Sequence, residues 1–152
     1  MLEGVSYLHS KRTFHGDIKS ANILMDEHLQ IKLVDFGLYK VFQQFWPADV
    51  PLGTIRWMAP EMFYPSNDYS YEVDIWGIGC TVVEMVTRKH PFHNLKEYPH
   101  VFFKLMSPDP SPAYDLPAAC PPNLRDFLNE VFQKDRSKRP SVRDVLLGNP
   151  FV

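Results

Sequence analysis

The sequence predicts a mainly helical α+β domain with one small β-hairpin, and three observations lead there. Residues 71–87 are apolar almost all round (Val73, Ile75, Trp76, Ile78, Val82, Val83, Met85, Val86), as a central buried helix must be. Leu124, Phe127, Leu128, Val131 and Phe132 recur at helical spacing and form the stripe of an amphipathic helix. Residues 22–26 and 30–35 are short β-type runs in which Ile31 and Leu33 alternate with Lys32, and the polar Glu27-His28 pair between them turns the chain into a hairpin.

The remaining elements follow in order. Leu2, Val5 and Leu8, with Tyr7, make a short first helix; Met1 precedes it without a capping residue, as though an element began earlier. Residues 38–56 keep no period and are punctuated by Pro47, Pro51 and Gly53, so they read as a long functional loop. Gly77 and Gly79 lower the helix propensity of the buried helix and imply close packing against a neighbour. Six prolines between Pro108 and Pro122 mark a connector. Ser141 and Asp144 form a capping box in its aspartate form, Val142, Val145 and Leu146 face inward, and Gly148 stops that last helix.

The chain's 152 residues suit one domain, and its 45% hydrophobic content supplies a core. Its formal charge of −2 gives no bulk field for nucleic acid or anionic lipid. Cys80 and Cys120 make neither a disulfide framework nor a metal-ligand pattern, which favours a reducing, cytoplasmic compartment. Neither a leader nor a membrane-length apolar run is read, since the longest, Ile75 to Val86, holds about a dozen residues against the ~18 a span needs. His90 and His93 flank Pro91 away from any cysteine, so no zinc site is expected.

The chemistry concentrates in His15-Gly-Asp-Ile-Lys-Ser-Ala-Asn22, in Asp35-Phe-Gly37 and in Gly53-Thr-Ile-Arg-Trp-Met-Ala-Pro-Glu61. An amide (Asn22) and a carboxylate (Asp35) at the two ends of a hairpin offer hard oxygen ligands suited to Mg²⁺ on nucleotide phosphates. Asp17 is then left to orient a nucleophile and take its proton. Lys19 supplies positive charge where phosphoryl oxygens gain negative charge.

In order and spacing these motifs resemble the protein kinase family, and the resemblance runs over essentially all 152 residues. It extends to Asp74-Ile-Trp-Gly-Ile-Gly79 and to Arg139-Pro140. The resemblance implies the large, C-terminal lobe of a protein kinase, residues 1–152, without the smaller lobe. It implies Asp17 as base, Lys19 as the γ-phosphate lysine, Asn22 and Asp35 as Mg²⁺ ligands, Leu24 as the floor of the adenine site, and Thr54 as a hydroxyl bracing the catalytic loop. His15 packs under Phe36, which precedes Gly37; Asp74 anchors residues 15–17; Glu61 and Arg139 pair as a buried ion bridge. The implied function is transfer of the ATP γ-phosphoryl group to Ser or Thr of a protein substrate, in intracellular signalling. Trp57-Met-Ala-Pro-Glu61 and Gly79-Cys-Thr-Val-Val-Glu-Met85 look most like mitogen-activated protein kinase kinase kinases.

Three departures qualify this picture. No G-x-G-x-x-G and no V-A-I-K occurs, so these residues alone are not expected to turn over ATP, and Leu24, Phe36 and their apolar neighbours are expected to form an exposed face that invites a partner. Position 16 is Gly where most of the family has Arg, and Leu38 to Leu52 holds no Ser or Thr, Tyr39 being its only hydroxyl. Ordering of that segment is therefore expected without Ser/Thr phosphorylation; the competing reading is a non-catalytic pseudokinase-like scaffold, with Gly16 loosening the backbone. Pro108-Asp-Pro-Ser-Pro112 reads as a connector ahead of a docking motif for a proline-recognising domain.

Overall fold

A computed structural model of the chain describes residues 1–36, 52–64, 70–112 and 114–148. Among these residues it has five α-helices and one two-stranded sheet. The helices are α1 (Leu2–Ser10), α2 (Glu72–Thr87), α3 (Tyr98–Met106), α4 (Pro122–Val131) and α5 (Val142–Gly148). Strands β1 (Ile23–Met25) and β2 (Ile31–Leu33) pair antiparallel with Leu24 opposite Lys32. The strands are shorter than the expected runs at both ends; at the turn the Asp26 N–H donates to the Gln30 carbonyl at 3.1 Å, and its carboxylate accepts the backbone N–H groups of His28 and Gln30, each at 2.9 Å.

Helix α2 is the axis of the core, with every residue from Val73 to Val83 buried. Its two glycines are points of contact. A Cβ at Gly77 would stand 2.9 Å from both the Cβ and the carbonyl oxygen of Ile18, and one at Gly79 would stand 2.6 Å from a methyl of Val131 on α4. The helix therefore lies directly against the backbone of residues 17–19. Gly77→Ala is expected to cost about 1–3 kcal/mol, since the obstacle is partly backbone and cannot rotate away. Chemical denaturation together with the amide shifts of residues 17–19 measures it, and unchanged shifts would contradict the argument.

Helix α3 has no counterpart among the sequence-derived elements. Val101 and Leu105 bury one face of it while Phe102 and Met106 flank them, a helical spacing that Pro99 at its first turn and the prolines beyond obscure. The expected amphipathic helix is α4, burying Leu124, Phe127, Leu128 and Val131. Trp76 packs edge-on to Phe132 at 5.0 Å between ring centroids, joining α2 to the end of α4.

The capping box is formed as expected. Ser141 Oγ accepts the Asp144 N–H at 3.2 Å, and the Asp144 carboxylate accepts the Ser141 N–H at 3.1 Å. The Ser141 hydroxyl and N–H together hold the Asp144 carboxyl below its usual range, and the hydroxyl of Ser137 does the same for Asp135. A carboxyl depressed on folding stabilises the fold above its unfolded pKa, about 4, and that contribution fades as pH falls through the lower folded value. Ser141→Ala is thus expected to lower the melting temperature at pH 7, with the deficit shrinking as pH falls below about 4 to the part owed to the lost Asp144 N–H cap. Melting curves followed by circular dichroism would show it; a deficit independent of pH would rule the linkage out.

Candidate active site

The segment after α1 is fixed before any reactive group is placed. His15 is fully buried, and its Nδ1 accepts the Asp17 N–H at 3.2 Å. That leaves Nε2 protonated, donating to the Val34 carbonyl at 2.9 Å. The His15 and Phe36 rings lie 4.9 Å apart, the packing expected of them. From below, the Asp74 carboxylate on α2 accepts the N–H groups of His15 (2.9 Å) and Gly16 (2.8 Å), and His9 Nε2 lies 2.9 Å from it. Asp74 thus anchors residues 15 and 16, whereas the N–H of Asp17 belongs to His15.

Gly16 has φ of +79°, the left-handed region, where a residue with a Cβ is strained by about 1–2 kcal/mol. Glycine at this position therefore relieves the turn ahead of Asp17 rather than loosening it.

Asp17 is 3% exposed. Its Oδ2 receives Lys19 Nζ at 2.7 Å and Asn22 Nδ2 at 2.9 Å, and Nδ2 also reaches the Asp17 carbonyl at 2.8 Å. The other oxygen, Oδ1, is buried with no hydrogen-bond partner among the described residues. Lys19 Nζ donates in addition to Thr54 Oγ1 at 3.1 Å, so the hydroxyl braces this loop as expected. Thr54 itself sits in a 3₁₀ turn, Leu52–Trp57.

The hairpin attaches Asp35 to the same loop. The Val34 N–H donates to the Asn22 carbonyl at 3.0 Å and the Val34 carbonyl accepts from His15, so the residue before Asp35 is tied at both ends. Asp35 has φ of +60° and is exposed. Both donor contacts of the Asn22 amide go to Asp17, which leaves the amide oxygen as its free end. Among the described residues no group of three His, Cys, Asp or Glu is gathered as a metal cluster. Leu24 and Phe36 stand 53% and 56% exposed; Leu24 lies opposite Lys32 on one face of the hairpin, Met25 and Ile31 pair on the other, and Phe36 lines a hollow with Tyr7, Ile31 and Leu33. Gly37 and the segment to Pro51, Tyr39 included, lie outside the described residues.

Glu61 and Arg139 meet as expected. The guanidinium forks onto the Glu61 carboxylate, with Nη2 to Oε2 at 2.9 Å, and also donates to the carbonyls of Gln133 and Glu72. Two further residues hold the site together without having been singled out from the sequence. Glu84 accepts the Ser20 hydroxyl at 2.9 Å, the Ser20 N–H at 3.2 Å and the Trp57 indole N–H at 2.8 Å, joining α2, the catalytic segment and the 52–57 turn. Its signal was a lone carboxylate in the apolar run Ile75 to Val86. Arg56 is buried and donates to the carbonyls of Phe92, Leu95 and Lys96. It gave no signal, because it lies in a stretch without periodicity.

A helical lobe that presents an aspartate, a lysine and an asparagine on one loop, with a second aspartate on an adjoining hairpin, has the architecture of the phosphotransferases that modify proteins. The whole chain, residues 1–152, matches the protein kinase domain, and the chain belongs to that family. It is 41% identical to Mitogen-activated protein kinase kinase kinase 1a of Physcomitrium patens over 152 residues, which are 100% of this chain and 19% of that protein. Against Mitogen-activated protein kinase kinase kinase YODA of Arabidopsis thaliana it is 39% identical, covering 100% of this chain and 17% of the relative. Against Mitogen-activated protein kinase kinase kinase 3 of the same plant the figures are 36%, 100% and 24%. The chain therefore spans a quarter or less of these relatives. No helix among the described residues is long and apolar enough to cross a membrane.

Proposed function

We propose that these residues form the catalytic lobe of a serine/threonine protein kinase of the mitogen-activated protein kinase kinase kinase type. In this reading the lobe transfers the ATP γ-phosphoryl group to a protein hydroxyl in an intracellular signalling cascade. The single observation that carries the reading is the buried Oδ1 of Asp17, unpartnered among the described residues. Its twin oxygen already receives Lys19 and Asn22, so the carboxylate keeps one acceptor with which to take a hydroxyl proton. Asp17 accepts the hydroxyl proton as the hydroxyl oxygen bonds to the γ-phosphorus and the bond from that phosphorus to the β–γ bridging oxygen breaks, so that ADP leaves; Lys19 balances the charge that gathers on the phosphoryl oxygens.

The donor set fits a nucleotide-bound magnesium ion. Asn22 offers its amide oxygen and Asp35 an exposed carboxylate, hard oxygens that leave the remaining positions to phosphate and water. Mg²⁺ bound there would neutralise the phosphates of ATP. Leu24 would line the floor of the adenine site, and with Phe36 it would meet the smaller lobe of a complete kinase domain. Thr54, bonded to Lys19, supports a Ser/Thr rather than a Tyr acceptor. Without a glycine-rich loop or strand lysine, the 152 residues by themselves do not turn over ATP, because each absent positioning group is worth about 10²–10³ in rate.

The test is a chimera in which this chain replaces the matching segment of the Physcomitrium patens relative. The chimera is expected to phosphorylate serine and threonine in a protein substrate and not tyrosine. An inert chimera beside an active parent of equal stability would refute the reading.

A further inference from the structure

We propose that the protein segment accepted at this site is acidic, with carboxylate or phosphorylated side chains flanking the acceptor hydroxyl. They would be received by a basic surface that the loop after α2 builds over the buried charge of Arg56, beside the 52–57 turn. The inference rests on the kinase reading proposed above, and adds to it that the protein substrate lies along the turn that carries Gly53 and Thr54.

Arg56 is 8% exposed, and its guanidinium meets only neutral groups. Nη1 donates to the Phe92 carbonyl at 2.7 Å, Nη2 to Leu95 at 2.9 Å and Lys96 at 3.4 Å, and Cζ lies 5.4 Å from the centre of the Tyr98 ring. No carboxylate among the described residues pairs with it, whereas the other buried guanidinium, Arg139, is neutralised by Glu61. A guanidinium keeps its charge at any physiological pH. Carbonyl dipoles solvate that charge without cancelling it.

The loop these bonds draw against the turn adds more of the same sign. Arg88, Lys89 and Lys96 are exposed on it, with His90 and His93 between, and Glu97 is the only carboxylate between 88 and 97. Glu84 lies toward the catalytic segment, where Ser20 and Trp57 hold it. Among the described residues, Arg56 of the turn with Arg88, Lys89 and Lys96 of the loop outnumber the carboxylates Glu84 and Glu97, on a chain whose formal net charge is −2. The positive charge is local and segregated, which favours an acidic peptide segment over a long polyanion, whose backbone the rest of the chain would repel.

The experiment titrates the isotope-labelled chain with three serine peptides of equal length, flanked by aspartate, asparagine or lysine, and follows the amides of residues 54–57 and 92–96. The aspartate peptide is expected to bind roughly tenfold tighter than the asparagine peptide at about 20 mM salt, with the advantage shrinking severalfold at about 200 mM. Lys89→Gln with Lys96→Gln, both exposed, is expected to remove about threefold of that preference and leave the remaining amides in place. Arg56→Gln is expected to remove more; if it does not fold, the lysine pair carries the test. Equal affinity for the aspartate and asparagine peptides would overturn the inference and leave the substrate face standing. Shifts at residues 54–57 with none of the three peptides would overturn that reading of the face, and the inference with it. Tighter binding of a DNA duplex at the same amides would also overturn it, in favour of nucleic acid.

Discussion

Asp17→Asn, made in the chimera described above, is expected to lower kcat by about 10³-fold or more with little change in KM. A positioned general base is worth about 10²–10⁴ by itself. The substitution does more than remove a base: Lys19 and Asn22 both donate to Oδ2, so the amide keeps its oxygen there and sets its NH2 at the position of Oδ1, where it puts a donor in place of the acceptor. Lys19→Met is expected to cost about 10²–10³, as loss of charge stabilisation does. Steady-state kinetics with a serine substrate measure both. A chimera whose kcat survives Asp17→Asn would remove the buried acceptor from the mechanism.

The second large effect is on stability. Glu61→Ala is expected to destabilise the fold by about 3–5 kcal/mol, the usual consequence of leaving one member of a buried ion pair alone. Arg139 has no exposed side-chain surface, and it sits over the Trp76 ring at 5.1 Å with its remaining donors on Gln133 and Glu72. It cannot turn to solvent when its carboxylate is removed. Urea unfolding at low and high salt measures the effect, with little dependence on salt, because the pair is shielded from counterions. A loss below about 1 kcal/mol would place the pair in the class of exposed bridges.

The two predictions probe different layers of the same design. In the proposed mechanism Asp17 relies on fixed surroundings: Asp74 holds the backbone before it, His15 holds its own N–H, and Thr54 holds Lys19. The Glu61–Arg139 bridge ties the segment that carries Thr54 to the helices behind it. A fold weakened at the bridge is therefore expected to lose activity before it unfolds.

Periodicity and turn chemistry made much of this fold legible. The buried α2, the stripe on α4, the capping box of α5 and the hairpin all follow from side-chain spacing that local geometry enforces. Helix α3 was not legible, because proline at its first turn and a proline-rich sequence after it read as connector until burial of Val101 and Leu105 is known. The site divides in the same way. Motif order identified Asp17, Lys19, Asn22, Asp35 and Thr54 as candidates, while Glu84 and Arg56 act through partners far along the chain, which no local spacing announces.

By itself the sequence determined the residue types, their order and the family, since a buried helix, a hairpin and a set of oxygen and nitrogen donors are properties of neighbouring residues. Only the tertiary structure decided which oxygen of Asp17 lacks a partner among the described residues, which backbone groups Asp74 satisfies and where an unneutralised guanidinium lies. Those outcomes depend on which distant groups burial brings within about 3 Å of one another, and that competition for donors and acceptors is settled only when the chain closes on itself.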